Sequence, residues 1–129
     1  MSKVYVYTRN SNAEAFEKGS SRETQIKKCR NYASIKDLII DEVVEEQCSG
    51  QIPFDRREKA FDLLKKLKSN DHIICSHLDR FCRNTLSLLQ MIQKFKKKKI
   101  YLHFVDLNCE TTGSDAIGNV FLTMLSCFA

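Results

Sequence analysis

Residues 73–83 read IICSHLDRFCR, and the fold follows from this stretch. Its first three residues, Ile73, Ile74 and Cys75, are apolar on both faces of an extended chain, a pattern typical of a strand buried inside a parallel sheet. The polar residues from 78 to 84 indicate a connection at the end of that strand. Because parallel strands need long crossovers, the flanking segments are expected to supply helices.

Strand and helix patterns alternate along the rest of the chain. Runs of β-branched and aromatic residues predict further strands over residues 4–7, 38–44 and 100–105. Apolar residues at helical spacing predict helices over about 22–34, around 60–67, around 88–95 and over 117–128. Capping-box spacing predicts that Ser20 with Glu23 begins the first helix and that Asp55 with Glu58 begins the second.

This alternation predicts an α/β fold, with a mostly parallel sheet of about four to five strands and helices on both faces. Sheets of this kind bind ligands at the carboxyl ends of their strands. Three polar segments follow predicted strands and should therefore meet at one edge; they are 8–11 (TRNS), 49–50 (SG) and 77–83 (HLDRFCR).

Length, composition and charge narrow the class of protein. A chain of 129 residues with 43% hydrophobic residues fits one packed domain, and its net charge of +5 weakly favours an anionic partner. No apolar run is long enough to span a bilayer, and the N-terminus lacks the plan of a signal peptide, so we expect a cytoplasmic protein. The six cysteines and three histidines lack metal-ligand spacing, so neither disulfides nor a metal site is expected.

An arginine cluster with a hydroxyl beside it points to phosphoryl chemistry. Arg9, Arg80 and Arg83 are predicted to meet in one crevice, where guanidinium forks match the oxygens of a phosphate. Ser11 could attack the phosphorus atom while the arginines stabilise the developing charge, without a metal or another cofactor. The competing interpretation is that Arg80 and Arg83 form surface ion pairs on a loop.

These residues resemble the serine recombinases, the resolvase and invertase family. Residues 7–11 (YTRNS) are similar to that family's Y-A-R-V-S strand end, and residues 78–85 (LDRFCRNT) to its L-D-R-L-x-R-x-x stretch. Ser49 and Gly50 correspond to its S-G loop, Gln25 to its helix glutamine and Gly118 to a glycine near the start of its last helix. The similarity extends over nearly the whole chain.

The resemblance implies site-specific DNA recombination. Ser11 would attack a DNA phosphodiester, form a 5′-phosphoserine link and free a 3′-hydroxyl, and religation would follow strand exchange. Arg9, Arg80 and Arg83 would cradle the phosphate. Asp79 would orient an arginine or handle a proton, with Gln25 and Ser49 supporting the site. The family's remaining arginine, at the start of the second helix, corresponds to Arg57 or to the adjacent Arg56.

The resemblance also implies partners and a larger parent protein. The partners would be double-stranded DNA, a homodimer and a synaptic homotetramer. The apolar stripe that runs to Ala129 without a cap is expected to be cut within the last helix of a catalytic domain covering residues 1–129, with the C-terminal DNA-binding region absent. The chain alone is therefore expected to be inactive or weak in recombination. Whether it belongs to a resolvase, an invertase, a transposase or an integrase stays open.

Three residues depart from the family pattern. Thr8 and Asn10 replace an alanine and a valine, and Cys82 replaces a glycine, which would strain the backbone if that position requires a positive φ.

Two other functions remain alternatives. A receiver-type phosphoacceptor could use Asp79, but it needs acidic residues after the first strand. A nucleotide- or flavin-binding module needs a loop richer in glycine than residues 8–19.

Overall fold

The computed structural model describes residues 2–10, 22–81, 85–106 and 109–110. Its strands are β1 (Val4–Asn10), β2 (Glu42–Gln47), β3 (His72–Cys75), β4 (Tyr101–Phe104) and β5 (Cys109–Glu110). Its α-helices are α1 (Arg22–Ile35), α2 (Glu58–Lys66), α3 (Leu78–Phe81) and α4 (Thr85–Lys98), and a 3₁₀ turn covers Phe54–Arg56. The predicted cap at Ser20 and the predicted helix over 117–128 lie outside the described residues.

The strands form one sheet in the order β2-β1-β3-β4-β5. The first four are parallel, with Val6 of β1 opposite Val43 on one side and Ile74 on the other, and β5 is antiparallel to β4. Strand β1 lies between β2 and β3, and the chain leaves it first toward β2 and later toward β3. The predicted α/β fold with a mostly parallel sheet is confirmed.

The two faces of the sheet are buried by different helices. Tyr5, Tyr7 and Ile73 belong to a core cluster that includes residues of α2, α3 and α4. Val6 and Ile74 belong to a second cluster with Cys29 and Tyr32 of α1. The alternation along each strand therefore divides the core into two layers, and helices cover both faces as the sequence predicts.

Strand β1 is longer than its apolar run predicts, and β2 begins later. Thr8, Arg9 and Asn10 are buried and stay in register with β2 despite their polarity. After α1 the chain turns at Asp37, which has a φ of 58°, and the Leu38 N–H donates to the Ala33 carbonyl at 2.8 Å. Leu38 is thereby used in closing the helix, and Asp41 binds the start of β1 through its backbone N–H and its carboxylate. The predicted strand over 38–44 is shifted to Glu42–Gln47.

The predicted cap of α2 is wrong. The N-cap residue is Arg57, whose side chain makes no capping hydrogen bond. Instead the Glu46 carboxylate of β2 accepts hydrogen bonds from the backbone N–H groups of Lys59 at 3.2 Å and Ala60 at 3.0 Å. A carboxylate from a neighbouring strand thus does what a local side chain usually does at a helix start.

The stretch predicted as a polar connection after β3 contains the short helix α3. Its last residue, Phe81, is fully buried and packs against Phe54 with ring centroids 4.2 Å apart. Phe95 and Phe104 also contact the Phe81 ring, at centroid distances of 5.9 and 5.8 Å. This aromatic cluster fixes α3 against the sheet, so that Arg80, one residue earlier, is held at the carboxyl edge.

Within the described ranges, no helix is both long enough and apolar enough to cross a bilayer. In the part of the chain that the structure describes, Cys29, Cys48 and Cys75 are reduced cysteines rather than halves of disulfides.

Candidate active site

Three buried arginines converge where β1 separates β2 from β3. Arg9 lies near the end of that strand, Arg57 precedes α2 and Arg80 lies in α3, and their exposed fractions are 0%, 1% and 7%. This is the carboxyl edge of the parallel strands, at the point where the chain crosses from one side of β1 to the other. The structure therefore places three of the predicted site residues in the crevice where such sheets bind ligands.

Arg57 is held by hydrogen bonds to four neutral oxygen atoms. Its Nε donates to the Ile52 carbonyl at 3.0 Å and its Nη2 to the Gly50 carbonyl at 3.4 Å. Its Nη1 donates to the Arg80 carbonyl at 2.7 Å and to the Tyr7 hydroxyl at 3.3 Å. The adjacent Arg56 is exposed. Of the two alternatives at the start of the second helix, it is Arg57 that lies in the crevice.

Gln25 of α1 clamps the end of β1. Its Oε1 accepts the Arg9 N–H at 3.1 Å, and its Nε2 donates to the Arg9 carbonyl at 3.3 Å and to Asn10 Oδ1 at 3.0 Å. The Arg80 guanidinium also donates to the Arg9 carbonyl, at 3.4 Å. The backbone immediately before Ser11 is therefore bound from two sides by residues that the sequence places in the site.

Arg9 links this clamp to the loop after β2. Its Nη1 donates to the Cys48 carbonyl at 3.1 Å. In the same loop Ser49 is exposed, and its Oγ accepts the Gln51 N–H at 3.2 Å. The Cys48 thiol is half-buried, and this burial raises its pKa, with the Glu46 carboxylate adding to the rise and Arg57 opposing it. Cys48 is therefore a protonated thiol near neutral pH.

Tyr7 and Glu46 form a polar support that sequence reasoning did not assign to the site. The Tyr7 hydroxyl accepts from Arg57 and donates to Glu46 Oε1 at 3.4 Å. Desolvation raises the pKa of Tyr7 well above its usual range although Arg57 acts against it, so Tyr7 is a neutral donor. Glu46 is one of three acidic residues in EVVEEQ, and nothing in that pattern distinguishes it from the other two.

Other predicted site residues lie outside the described part of the chain. These are the nucleophile Ser11 and also Arg83, together with Cys82 beside it. Asp79 is described only as part of the backbone of α3. His77, which borders this segment, is half-buried, and its Nδ1 is 3.1 Å from Ser76 Oγ. In the residues that the structure covers, His, Cys, Asp and Glu form no group of three or more that could hold a metal ion.

The three buried guanidinium groups are suited to binding a negatively charged group. Guanidinium groups stay charged at any physiological pH, and burial beside a sheet edge strengthens their attraction for an anion. Arg57 is fixed by its hydrogen bonds before any ligand arrives, and preorganised donors of this kind stabilise negative charge with little reorganisation. The crevice is therefore suited to a phosphate group that gains charge during a reaction.

Comparison with known proteins gives a consistent result. Residues 4–129 match the family model described as the resolvase N-terminal domain. The transposon Tn2501 resolvase of Escherichia coli is 25% identical over 129 residues, which are 100% of this chain and 62% of that protein. The transposon Tn3 resolvase of Escherichia coli is 32% identical over 72 residues, covering 55% of this chain and 38% of that protein.

Solved structures show the same fold. The N-terminal catalytic domain of TP901-1 integrase superposes with a TM-score of 0.81 at 25% identity, covering 98% of this chain and 93% of that one. A resolvase family site-specific recombinase from Streptococcus pneumoniae superposes with a TM-score of 0.69 at 20% identity, covering 99% and 87% of the two chains. The chain spans less than two thirds of the length of the two curated resolvases.

Proposed function

Because the chain belongs to the resolvase N-terminal domain family, we propose that it is the catalytic part of a site-specific serine recombinase acting on double-stranded DNA. The observation that carries the proposal is the burial of Arg9, Arg57 and Arg80 around the end of β1, directly before Ser11. A buried cluster of positive charge at a ligand-binding edge is stabilised by an anion, and a DNA phosphodiester is an anion with a suitable shape.

The proposed reaction is a transesterification at phosphorus. The Ser11 Oγ loses its proton and forms a bond to phosphorus while the bond from phosphorus to the 3′ oxygen breaks. The leaving 3′ oxygen takes up a proton, and the 5′ phosphate stays on the serine. The step exchanges one phosphate ester for another, so the reverse attack by a 3′-hydroxyl religates the strand without ATP or a metal.

Each residue of the site would have its own role in this step. Arg9, Arg57 and Arg80 would stabilise the charge that develops on the equatorial oxygens, together with Arg83. Gln25 would hold the backbone on which Ser11 is carried, since it binds both polar backbone atoms of Arg9. Ser49 would contact the phosphate or its flanking sugar from the loop after β2. Asp79 would either orient one of the arginines or carry a proton.

Strand exchange needs more than one subunit. Two duplexes contain four strands to cut, and each serine forms one link. We therefore propose a homodimer on each site and a homotetramer at synapsis for the full-length protein.

Covalent trapping tests the proposal directly. The full-length protein that carries this catalytic domain is incubated with plasmid DNA that carries a randomised insert library, the products are digested, and nucleotide-linked peptides are mapped by mass spectrometry. We expect the nucleotide on Ser11, and we expect Ser11→Ala to abolish the adduct while DNA binding persists. The neighbouring Ser20→Ala is the matched control and should leave the adduct intact. An adduct on another residue, or one that persists in Ser11→Ala, would overturn the assignment.

A further inference from the structure

A second positively charged surface lies at the opposite edge of the sheet. Its exposed members, which we call the amino-edge lysine surface, are Lys3, Lys68, Lys97, Lys98 and Lys99. Lys3 precedes β1, Lys68 follows α2, and the other three close α4 and lead into β4. Because Val4 pairs with His72 and His72 with Tyr101, the strands β1, β3 and β4 all start at this edge.

Backbone hydrogen bonds gather these lysines from three segments of the chain. The Asp71 carboxylate accepts the Lys3 N–H at 3.0 Å and the Lys68 N–H at 2.9 Å. The Asn70 N–H donates to the Lys99 carbonyl at 2.7 Å, and Ser69 Oγ donates to the Lys98 carbonyl at 3.1 Å. These hydrogen bonds use main-chain atoms of the lysines, so the side chains are not needed to hold the surface together.

The positive charge at this surface is larger than the charge that would complement the dipole of α4. The C-terminus of a helix carries the equivalent of about half a negative charge, which one lysine complements. Residues 94–99 contain five lysines, and residues 80–105 contain no acidic residue at all. Asp71, whose carboxylate accepts from two of these lysine N–H groups, is only 3% exposed. An exposed carboxylate, that of Asp41, accepts the Val4 N–H at 2.8 Å at the β2 end of the same edge, away from the lysines that close α4. By contrast, Lys66 of α2 is paired with Glu42 at 3.2 Å.

We propose that the amino-edge lysine surface binds the phosphate backbone of duplex DNA at a place distinct from the crevice. Lysines bind phosphate as flexible point charges and read no sequence, so this binding is non-specific. The inference rests on the proposed DNA substrate but not on the identity of the nucleophile.

The geometry separates this binding from the phosphate to be cut. Strand β1 has seven residues, and at about 3.3 Å per residue its two ends are roughly 20 Å apart. A duplex whose scissile phosphate lies at Arg9 therefore meets the lysines with another part of its backbone, or a second duplex occupies them.

A charge-matched pair of variants tests the proposal. The first carries Lys68→Gln, Lys97→Gln and Lys98→Gln, and the control carries Lys27→Gln, Lys28→Gln and Lys65→Gln, all of them exposed lysines on α1 and α2. Binding of a fluorescent duplex of random sequence is measured by anisotropy from low to high salt. Each lysine–phosphate ion pair contributes about 0.9 to the magnitude of the slope of log K against log salt, so the loss of three pairs lowers that slope by about 2.7. Relative to 1 M salt, this corresponds to binding roughly 500-fold weaker at about 0.1 M salt.

The result expected is a decrease of that size in the first variant and a much smaller decrease in the control. Equal decreases in the two variants would show an effect of overall charge and would overturn the proposal, as would unchanged binding in both. Reduced binding of polyglutamate with unchanged binding of DNA would also overturn it, in favour of an acidic protein partner. The Ser11 adduct is measured in parallel at saturating DNA. An adduct that persists while the lysine variant binds DNA normally would refute this inference and leave the proposed function standing.

Discussion

A pair of histidines in the sheet, of which His103 is buried, makes the stability of the protein sensitive to mild acid. His103 of β4 is 2% exposed, its Nδ1 is 2.8 Å from the Tyr32 hydroxyl of α1, and its Nε2 is 2.9 Å from Nδ1 of His72 on β3. Burial lowers the pKa of His103 to about 3, with smaller contributions from the nearby His72 and Lys36. The pKa of His72 is also lowered, by burial, although Asp71 acts in the opposite direction.

The sign and size of the effect follow from the difference in proton binding. Between pH 6.5 and about 3 the unfolded chain carries a proton on this histidine that the folded chain does not. Lowering the pH therefore favours unfolding, and His103 accounts for about 2 kcal/mol of the stability that disappears between pH 7 and pH 5. That is a sizeable part of the roughly 5–15 kcal/mol that holds a typical domain together.

Urea unfolding at pH 5, 6, 7 and 8, followed by far-UV circular dichroism, measures this decrease. In His103→Gln the titrating group is gone, so we expect the dependence on pH to be shallower by about 2 kcal/mol over the same interval. The matched control is His77→Gln, which removes a half-buried histidine outside the pair and so controls for the loss of one imidazole elsewhere in the protein. If the stability of His103→Gln and that of the wild-type protein fall equally between pH 7 and pH 5, the reasoning is refuted.

Three further predictions concern the site and its supports. Arg57→Lys keeps the charge but removes the planar fork, so we expect about 2 kcal/mol less stability in urea and a Ser11 adduct formed at least tenfold more slowly, whereas Arg56→Lys should change neither. Glu46→Gln should lower the free energy of unfolding in urea by about 1–2 kcal/mol because the cap of α2 weakens. The exposed Asp55→Asn should have a much smaller effect, and an equal loss of stability in that variant would support Asp55 as the cap instead. Phe81→Ala should cost about 3–5 kcal/mol by the same measurement, since it opens a cavity among three aromatic rings; a cost below about 1 kcal/mol would contradict the packing described for α3.

Many features of the fold can be predicted from short segments of the sequence. The alternation of strand and helix, the buried strand at Ile73 and Ile74, and the stripe of α4 follow from the spacing of apolar residues, which is a local property. The predictions were wrong where a polar segment was structured by distant partners. β1 continues through Thr8, Arg9 and Asn10 because β2 and Gln25 satisfy their polar groups, and neither partner is visible from the strand's own sequence.

Some residues of the site could likewise be predicted from the sequence, and others could not. Arg9, Gln25 and Arg80 were predictable, because residues that follow strands meet at the carboxyl edge of a parallel sheet and because the motifs resemble a known family. The choice between Arg57 and Arg56 depended on which of two neighbouring side chains points inward, and that is set by the 3₁₀ turn and the carbonyls of Ile52, Gly50 and Arg80.

The order of residues along the chain was enough to specify the class of fold, the edge that carries the chemistry and the types of side chain gathered there, since periodicity and the ends of strands are encoded locally. The roles of Glu46 and Tyr7 required the folded molecule. Glu46 caps a helix that starts 12 residues later, and Tyr7 connects it to Arg57 across 50 residues of sequence. Contacts between such distant positions exist only once the strands are paired, and no local pattern encodes them.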